Sequence, residues 1–209
     1  MFTTACLLAA CCGVHADDLV WDGSTGNWDT DTSWLPGGVE PTSADNVAIN
    51  SGSVTLDLIG EVARNLAVGQ TSGSNGTLSI EAGGAVTNST GYIGHFGGSA
   101  GTATVTGTGS SWVNTNSLYV GFSGTGTLSI EDGGQLTGRG YVGISGLGSV
   151  TVTGAGSTWT NPSSLLLASS GNATMTIQDG GAVTNTQAFL ASLNSAAQAS
   201  ATITGSGST

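Results

Sequence analysis

The sequence predicts an all-β chain: a right-handed single-stranded parallel β-helix with three short strands in each coil of about 24 residues. Three observations predict it. A doublet repeat runs through most of the chain, residues alternate in character with period two inside each repeat, and glycine-rich corners separate the alternating runs.

The repeat is read directly. Gly76-Thr-Leu-Ser-Ile-Glu-Ala-Gly-Gly84 returns as Gly126-Thr-Leu-Ser-Ile-Glu-Asp-Gly-Gly134 and again as Ala173-Thr-Met-Thr-Ile-Gln-Asp-Gly-Gly181. A second series runs between them: Gly101-Thr-Ala-Thr-Val-Thr-Gly-Thr-Gly-Ser-Ser-Trp112, Gly148-Ser-Val-Thr-Val-Thr-Gly-Ala-Gly-Ser-Thr-Trp159, and Ser200-Ala-Thr-Ile-Thr-Gly-Ser-Gly-Ser-Thr209. The full period is about 48 residues, and its two halves align as one unit of 22 to 26 residues.

The first strand of the unit carries an apolar anchor at Ile80, Val105, Ile130, Val152, Ile177 and Ile203, with a second apolar residue two positions earlier and Thr or Ser on the opposite face. This alternation places one side of the strand in a core. A Gly-rich turn leads to a second strand, Val86-Thr87-Asn88, Trp112-Val113-Asn114, Leu136-Thr137-Gly138, Trp159-Thr160-Asn161 and Val183-Thr184-Asn185. Asn and Gly share its last position, which predicts a corner with left-handed backbone there. A third strand closes the unit at Tyr92-Ile93-Gly94, Tyr119-Val120-Gly121, Tyr141-Val142-Gly143, Leu166-Leu167-Ala168 and Phe189-Leu190-Ala191. A β-propeller is rejected: a ring needs about four blades or more, and the chain holds fewer than three of the long periods.

Residues 17–53 lack the repeat and contain Trp21, Trp28 and Trp34. A solenoid's first coil exposes an apolar cross-section and unpaired backbone, so this segment is expected to cap it. The repeats then occupy 54–209, and Thr209 stops where two earlier copies proceed to Trp, so the repeat is expected to run on beyond it. At the other end, Cys6, Cys11 and Cys12 lie in an apolar run too short to span a bilayer. With Val14-His15-Ala16 before Asp17 it reads as a signal peptide over 1–16, and Leu8-Ala9-Ala10-Cys11 offers a lipobox as the rival reading. Either exports the chain, to the extracellular space or an outer-membrane-attached surface. Cleavage after Ala16 would leave no cysteine for a disulfide, nucleophile or metal.

The 13 acidic residues face only Arg64 and Arg139, for a net charge of −11. Such a chain repels phosphate backbones and anionic lipid, which excludes nucleic acid and basic-patch membrane binding. No membrane-spanning segment is expected in the mature chain.

The alternating Gly-Thr-Leu-Ser-Ile-Glu-Asp-Gly-Gly and Val-Thr-Gly-Ala-Gly-Ser-Thr-Trp blocks resemble the repeat shared by passenger regions of type V autotransporters and by some exported PEP-CTERM proteins. The opening Trp21-Asp-Gly-Ser-Thr-Gly-Asn-Trp28, with Trp34, Pro41 and Asp45-Asn-Val-Ala-Ile49, likewise resembles the segment that often precedes such repeats. The resemblance covers nearly the whole mature chain and implies a parallel β-helix at a cell surface. Neither a translocator barrel nor a sorting tail lies within the 209 residues.

Parallel β-helices also host polysaccharide lyases and hydrolases, which need clustered carboxylates. The candidates are Glu81, Glu131-Asp132 and Asp179, which recur at one turn of every second coil, about 10 Å apart along the axis. Solvated turn carboxylates are the preferred reading. His95 has no second His or Cys partner, Gly97-Gly98 precedes no helix and no Lys-Ser/Thr as a phosphate loop would, and Arg139 reads as a surface residue. No catalytic residue, metal or cofactor is expected. Trp112 and Trp159 are the candidate glycan contacts, although equivalence with Val86, Leu136 and Val183 favours core packing. The expected function is a non-catalytic structural or adhesive module with a glycan or cell-surface ligand as partner. A polysaccharide-active enzyme and a glycan-binding module are the alternatives.

Overall fold

A computed structural model of the chain describes residues 18–190 and 197–209. The expected signal segment and its cysteines lie outside the described residues. The chain is a parallel β-solenoid of about 7 turns. Its strands are β1 (Asp18–Trp21), β2 (Thr25–Asn27), β3 (Trp34–Leu35), β4 (Asn46–Ile49), β5 (Ser53–Leu56), β6 (Ile59–Val68), β7 (Asn75–Ile80), β8 (Ala85–Ile93), β9 (Ala100–Thr106) and β10 (Ser111–Val120). They continue with β11 (Thr125–Glu131), β12 (Gln135–Val142), β13 (Leu147–Thr153), β14 (Thr158–Thr160), β15 (Ser164–Leu167), β16 (Asn172–Gln178), β17 (Ala182–Thr184), β18 (Gln187–Leu190) and β19 (Ala199–Thr204).

Two sheets face each other across the core. The first stacks β2, β5, β7, β9, β11, β13, β16 and β19 in that order, all parallel. The predicted anchors stand in one column, Ile80 beside Val105, then Ile130, Val152, Ile177 and Ile203. All but Ile203 are buried, each worth about 1.5–3 kcal/mol against exposure. On the outer face, from β5 to β19, two columns consist of Ser and Thr throughout, whereas on β2 the second of them holds Asn27. One is Ser53, Thr77, Thr102, Thr127, Ser149, Thr174 and Ser200, and the other is Thr55, Ser79, Thr104, Ser129, Thr151, Thr176 and Thr202.

The second sheet runs β3, β1, β4, β6, β8, β10, β12, β14 and β17, with β15 and β18 alongside. Here the predicted second and third strands run into one another as long bent strands in β6, β8, β10 and β12. The bend in β10 is a register shift between Asn114 and Ser117. They separate into β14 and β15 where Pro162, which has no N–H to give the ladder, interrupts the run. The left-handed corner expected at the Asn position does not form: of Asn88, Asn114, Gly138 and Asn161, only Gly138 has a positive φ. The asparagines are there for their side chains. Trp112 Nε1 donates to Asn88 Oδ1 at 2.6 Å and Asn88 Nδ2 donates to Asn114 Oδ1 at 2.9 Å, all three residues buried. Gly138 breaks this amide column. Asn114 Nδ2 finds no acceptor, and Trp159 Nε1 donates instead to the Gly138 carbonyl at 3.0 Å.

Both indoles lie over a glycine of the preceding coil. A Cβ on Gly140 would stand 2.7 Å from Trp159 Cη2 and from Leu165 Cδ1, and one on Gly91 3.2 Å from Trp112 Cζ2. Large residues therefore alternate with small ones along the core axis, which close packing requires. This alternation is the physical origin of the double-length period.

Left-handed backbone ends the third-strand segments at Gly94, Gly121, Gly143 and Ala168, and makes the corners after the first strand at Ala82, Asp132 and Asp179 (φ 52° in each of these three), each followed by a glycine. A serine of the next coil locks each corner. Gly83 N donates to Ser110 Oγ at 3.1 Å, Gly133 N to Ser157 Oγ at 3.0 Å, and Gly180 N to Ser208 Oγ at 3.1 Å.

In residues 18–53, β1 pairs parallel with β4 and β2 with β5, while β3 pairs antiparallel with β1 and ends the second sheet. Trp34 meets Trp21 and Trp28 edge to face, each with centroids 4.9 Å apart.

Candidate functional site

Trp112 and Trp159 cannot be glycan contacts, because both are 0% exposed. Their indoles fill the space left by Gly91 and Gly140 and spend their N–H groups inside the core. Asp132 and Asp179 are exposed at the left-handed corners, a conformation that Asp tolerates better than most residues. Glu81 accepts the Ser79 hydroxyl at 2.9 Å, and Glu131 lies between Thr106 and Thr153 in its column. The structure therefore keeps these carboxylates in alternate coils.

What the structure does bring together is a series of rings. On the outer face of the second sheet one column reads Val20, Ala48, Ala67, Tyr92, Tyr119, Tyr141, Leu166 and Phe189. Tyr92 and Tyr119 stack at 5.2 Å, and Tyr119 and Tyr141 at 4.8 Å. His95 stacks on Tyr92 at 3.9 Å and on Phe96 at 4.1 Å, extending the series to five near-parallel rings. Phe122 stands edge-on to Tyr92, Tyr119 and His95. Arg139 ends the series, its guanidinium 4.8 Å over the Tyr141 ring. Such stacked pairs contribute about 0.5–1.5 kcal/mol each beyond area burial. Parallel register imposes the arrangement, because a tyrosine at the same outward position of successive coils must lie over the one before.

Where the column changes from Val and Ala to Tyr, the surface steps. The step walls a groove of about 390 Å³. Val20, Ala48 and Ala67 form its floor, and Tyr92 and His95 its wall. The polar side is a second column: Asn65 Nδ2 donates to Asn46 Oδ1 at 2.8 Å, and Asn46 Nδ2 donates to Asp18 Oδ1 at 2.8 Å. Burial lowers the His95 pKa, so the imidazole is neutral at neutral pH, and its buried Nδ1 has no hydrogen-bond partner. Burial, with a smaller contribution from Tyr119, raises the Tyr92 pKa. An apolar floor with a few convergent amides is the pattern of a small-ligand site.

No family model, no curated protein and no solved structure matches this chain.

A further carboxyl pair escaped the sequence reading. Glu61 on β6 has its pKa raised to about 7, first by burial, then by the hydrogen bond and charge of Glu40 and the charge of Asp29, against a weaker pull from the Trp28 indole N–H. None of these carboxylates lines the groove. Among the described residues no group of three or more His, Cys, Asp or Glu is placed to hold a metal ion. Among them, too, no helix is long and apolar enough to cross a membrane.

Proposed function

We propose that the chain is a non-catalytic, exported surface module of the passenger type, and that the ring series with its adjoining groove is the face that meets a ligand. The observation that supports this most directly is the ring series itself. It presents aromatic side chains in one outward column, stacked from coil to coil over a continuous buried core. Exposed aromatic patches on a rigid support mark interaction surfaces. The partner is a neutral glycan or another uncharged cell-surface ligand. A net charge of −11 disfavours polyanions, whereas the amide column offers both donors and acceptors to hydroxyl groups.

The test is retention of the full chain on surfaces coated with neutral glycans or with cells. Ala48→Tyr fills the groove floor, and Tyr119→Ser breaks the ring series. Retention of the wild type and its loss in both variants, with unchanged circular dichroism, is the expected result. Equal retention of all three would refute the assignment of this face, and release of new reducing ends from a polysaccharide would refute the non-catalytic reading.

A further inference from the structure

The first sheet's outer face carries a different feature. Both of its central columns, seven strands deep from β5 to β19, hold only Ser and Thr. Strand propensity alone does not explain this, since it favours Thr at outward positions generally. The flanking columns of the same sheet are mixed: Asn75, Leu147 and Asn172 stand on one side, Glu81, Glu131 and Gln178 on the other. Exclusion of charge, amides and aromatics is confined to the two middle columns.

We infer that this face binds ice. Four physical properties carry the inference. The array is two-dimensional and regular: neighbouring coils are about 4.8 Å apart, and the two columns, two residues apart on each strand, are about 6.6 Å apart. Both repeats lie close to oxygen repeats on a prism face of hexagonal ice. No register shift interrupts the ladders from β5 to β19, so the repeat is not broken. The hydroxyls are available: among the described residues, only the bonds from Thr174 to Ser149 and from Ser79 to Glu81 engage any of them with another side chain. From β5 to β16 the strands are paired on both edges over a filled core, which holds the array in place before binding, so little ordering entropy is lost on contact. The two middle columns carry no charge of their own, and so lack the tightly held hydration shells that would compete with a water lattice.

The test is ice growth in solutions of the full chain. Nanolitre osmometry reads the gap between melting and freezing points, and a recrystallisation assay reads grain growth. Thr127→Lys and Thr151→Lys place a charge in the middle of each column at outward positions, and Thr160→Lys places the same charge at an exposed position on the other sheet, outside the ring series and the groove, as a control. The expected result is faceted crystals and a measurable gap for the wild type and for Thr160→Lys, with the gap abolished in Thr127→Lys and in Thr151→Lys. An absent gap and unshaped crystals in the wild type would overturn the inference, as would a gap that survives both column variants. Retention on crystalline cellulose without any effect on ice would also overturn it. None of these readouts depends on the ring series, so failure here leaves the proposed function standing, and the reverse holds too.

Discussion

Gly140→Ala is the sharpest probe of how this core is built. Gly140 does not have a positive φ, so alanine meets no backbone penalty there. In open space the change would stabilise the chain by about 0.4–1 kcal/mol through the unfolded state. The structure reverses that sign. The added methyl would lie 2.7 Å from Trp159 Cη2 and 2.7 Å from Leu165 Cδ1, inside van der Waals contact with two buried side chains. Overpacking of this kind costs about 1–3 kcal/mol, or roughly 2–12 °C in melting temperature for a chain of this size. Trp159→Leu alone opens a cavity and costs somewhat less than the about 3–5 kcal/mol of a Trp→Ala change. In the double variant the ring is gone and the methyl enters the vacated space, so the two costs should fall short of their sum by about 1 kcal/mol or more. Urea titrations of all four proteins, followed by far-ultraviolet circular dichroism, measure the coupling. Additivity within about 0.5 kcal/mol, or a stabilising Gly140→Ala, would refute the claim that glycine stands there to admit the indole.

Three further outcomes follow from the corners, the carboxyl pair and the ring series. Ser157→Ala removes the acceptor for Gly133 N at a fully buried position, and is expected to cost about 1–3 kcal/mol in urea titrations, whereas Ser145→Ala, at an exposed position, should cost almost nothing. Glu61, with its pKa raised from 4.5 to about 7, holds a proton in the folded chain that the unfolded chain has already released between those values. Stability therefore falls as pH rises through that window. Glu61 is partly exposed, so solvent screening reduces the effect to about 1 kcal/mol. Glu61→Gln should gain that amount at pH 8 and nothing near pH 4, and a gain equal at both would exclude the proton as its source. Tyr119→Ser removes two ring stacks and is expected to lower stability by about 1–3 kcal/mol, measured by thermal melting.

Much of the architecture was legible because the solenoid repeats its own geometry. Period-two alternation sorted Ile80, Val105 and Ile130 inward and their Ser and Thr neighbours outward, and parallel stacking carried the assignment from coil to coil. The corner asparagines were read wrongly for a definite reason. Asn is a residue of left-handed corners and also of buried amide columns, and single-coil sequence does not separate the two. The separating signal was the indole one coil on, whose N–H needs an acceptor that Asn88 supplies and Gly138 supplies by its backbone. The ring series was spelled out as Tyr-Ile/Val-Gly in three successive units, but its significance depends on which side of the third strand faces out. His95 and Phe96 join it only through the turn that follows. Glu40 and Glu61 stand 21 residues apart, about one coil, a spacing that carries meaning only once the first coil, built by unrepetitive residues, is in place.

The doublet period also constrains how the surfaces can vary. Inward, Trp112 and Trp159 require Gly91 and Gly140 beneath them, so the core reads the sequence two coils at a time. Outward, nothing in the packing couples one coil to the next but one. The hydroxyl columns accordingly repeat every coil and ignore the doublet, as do the tyrosines at 92, 119 and 141, which fall on both halves of it. A surface whose pattern follows the core's alternation could be a by-product of packing. These two follow the single-coil spacing instead, and the tyrosines stop at Ala67 and Leu166 although the same backbone continues on both sides. Packing of the interior does not account for where either pattern begins or ends, which is the physical ground for treating both faces as places where the chain meets something else.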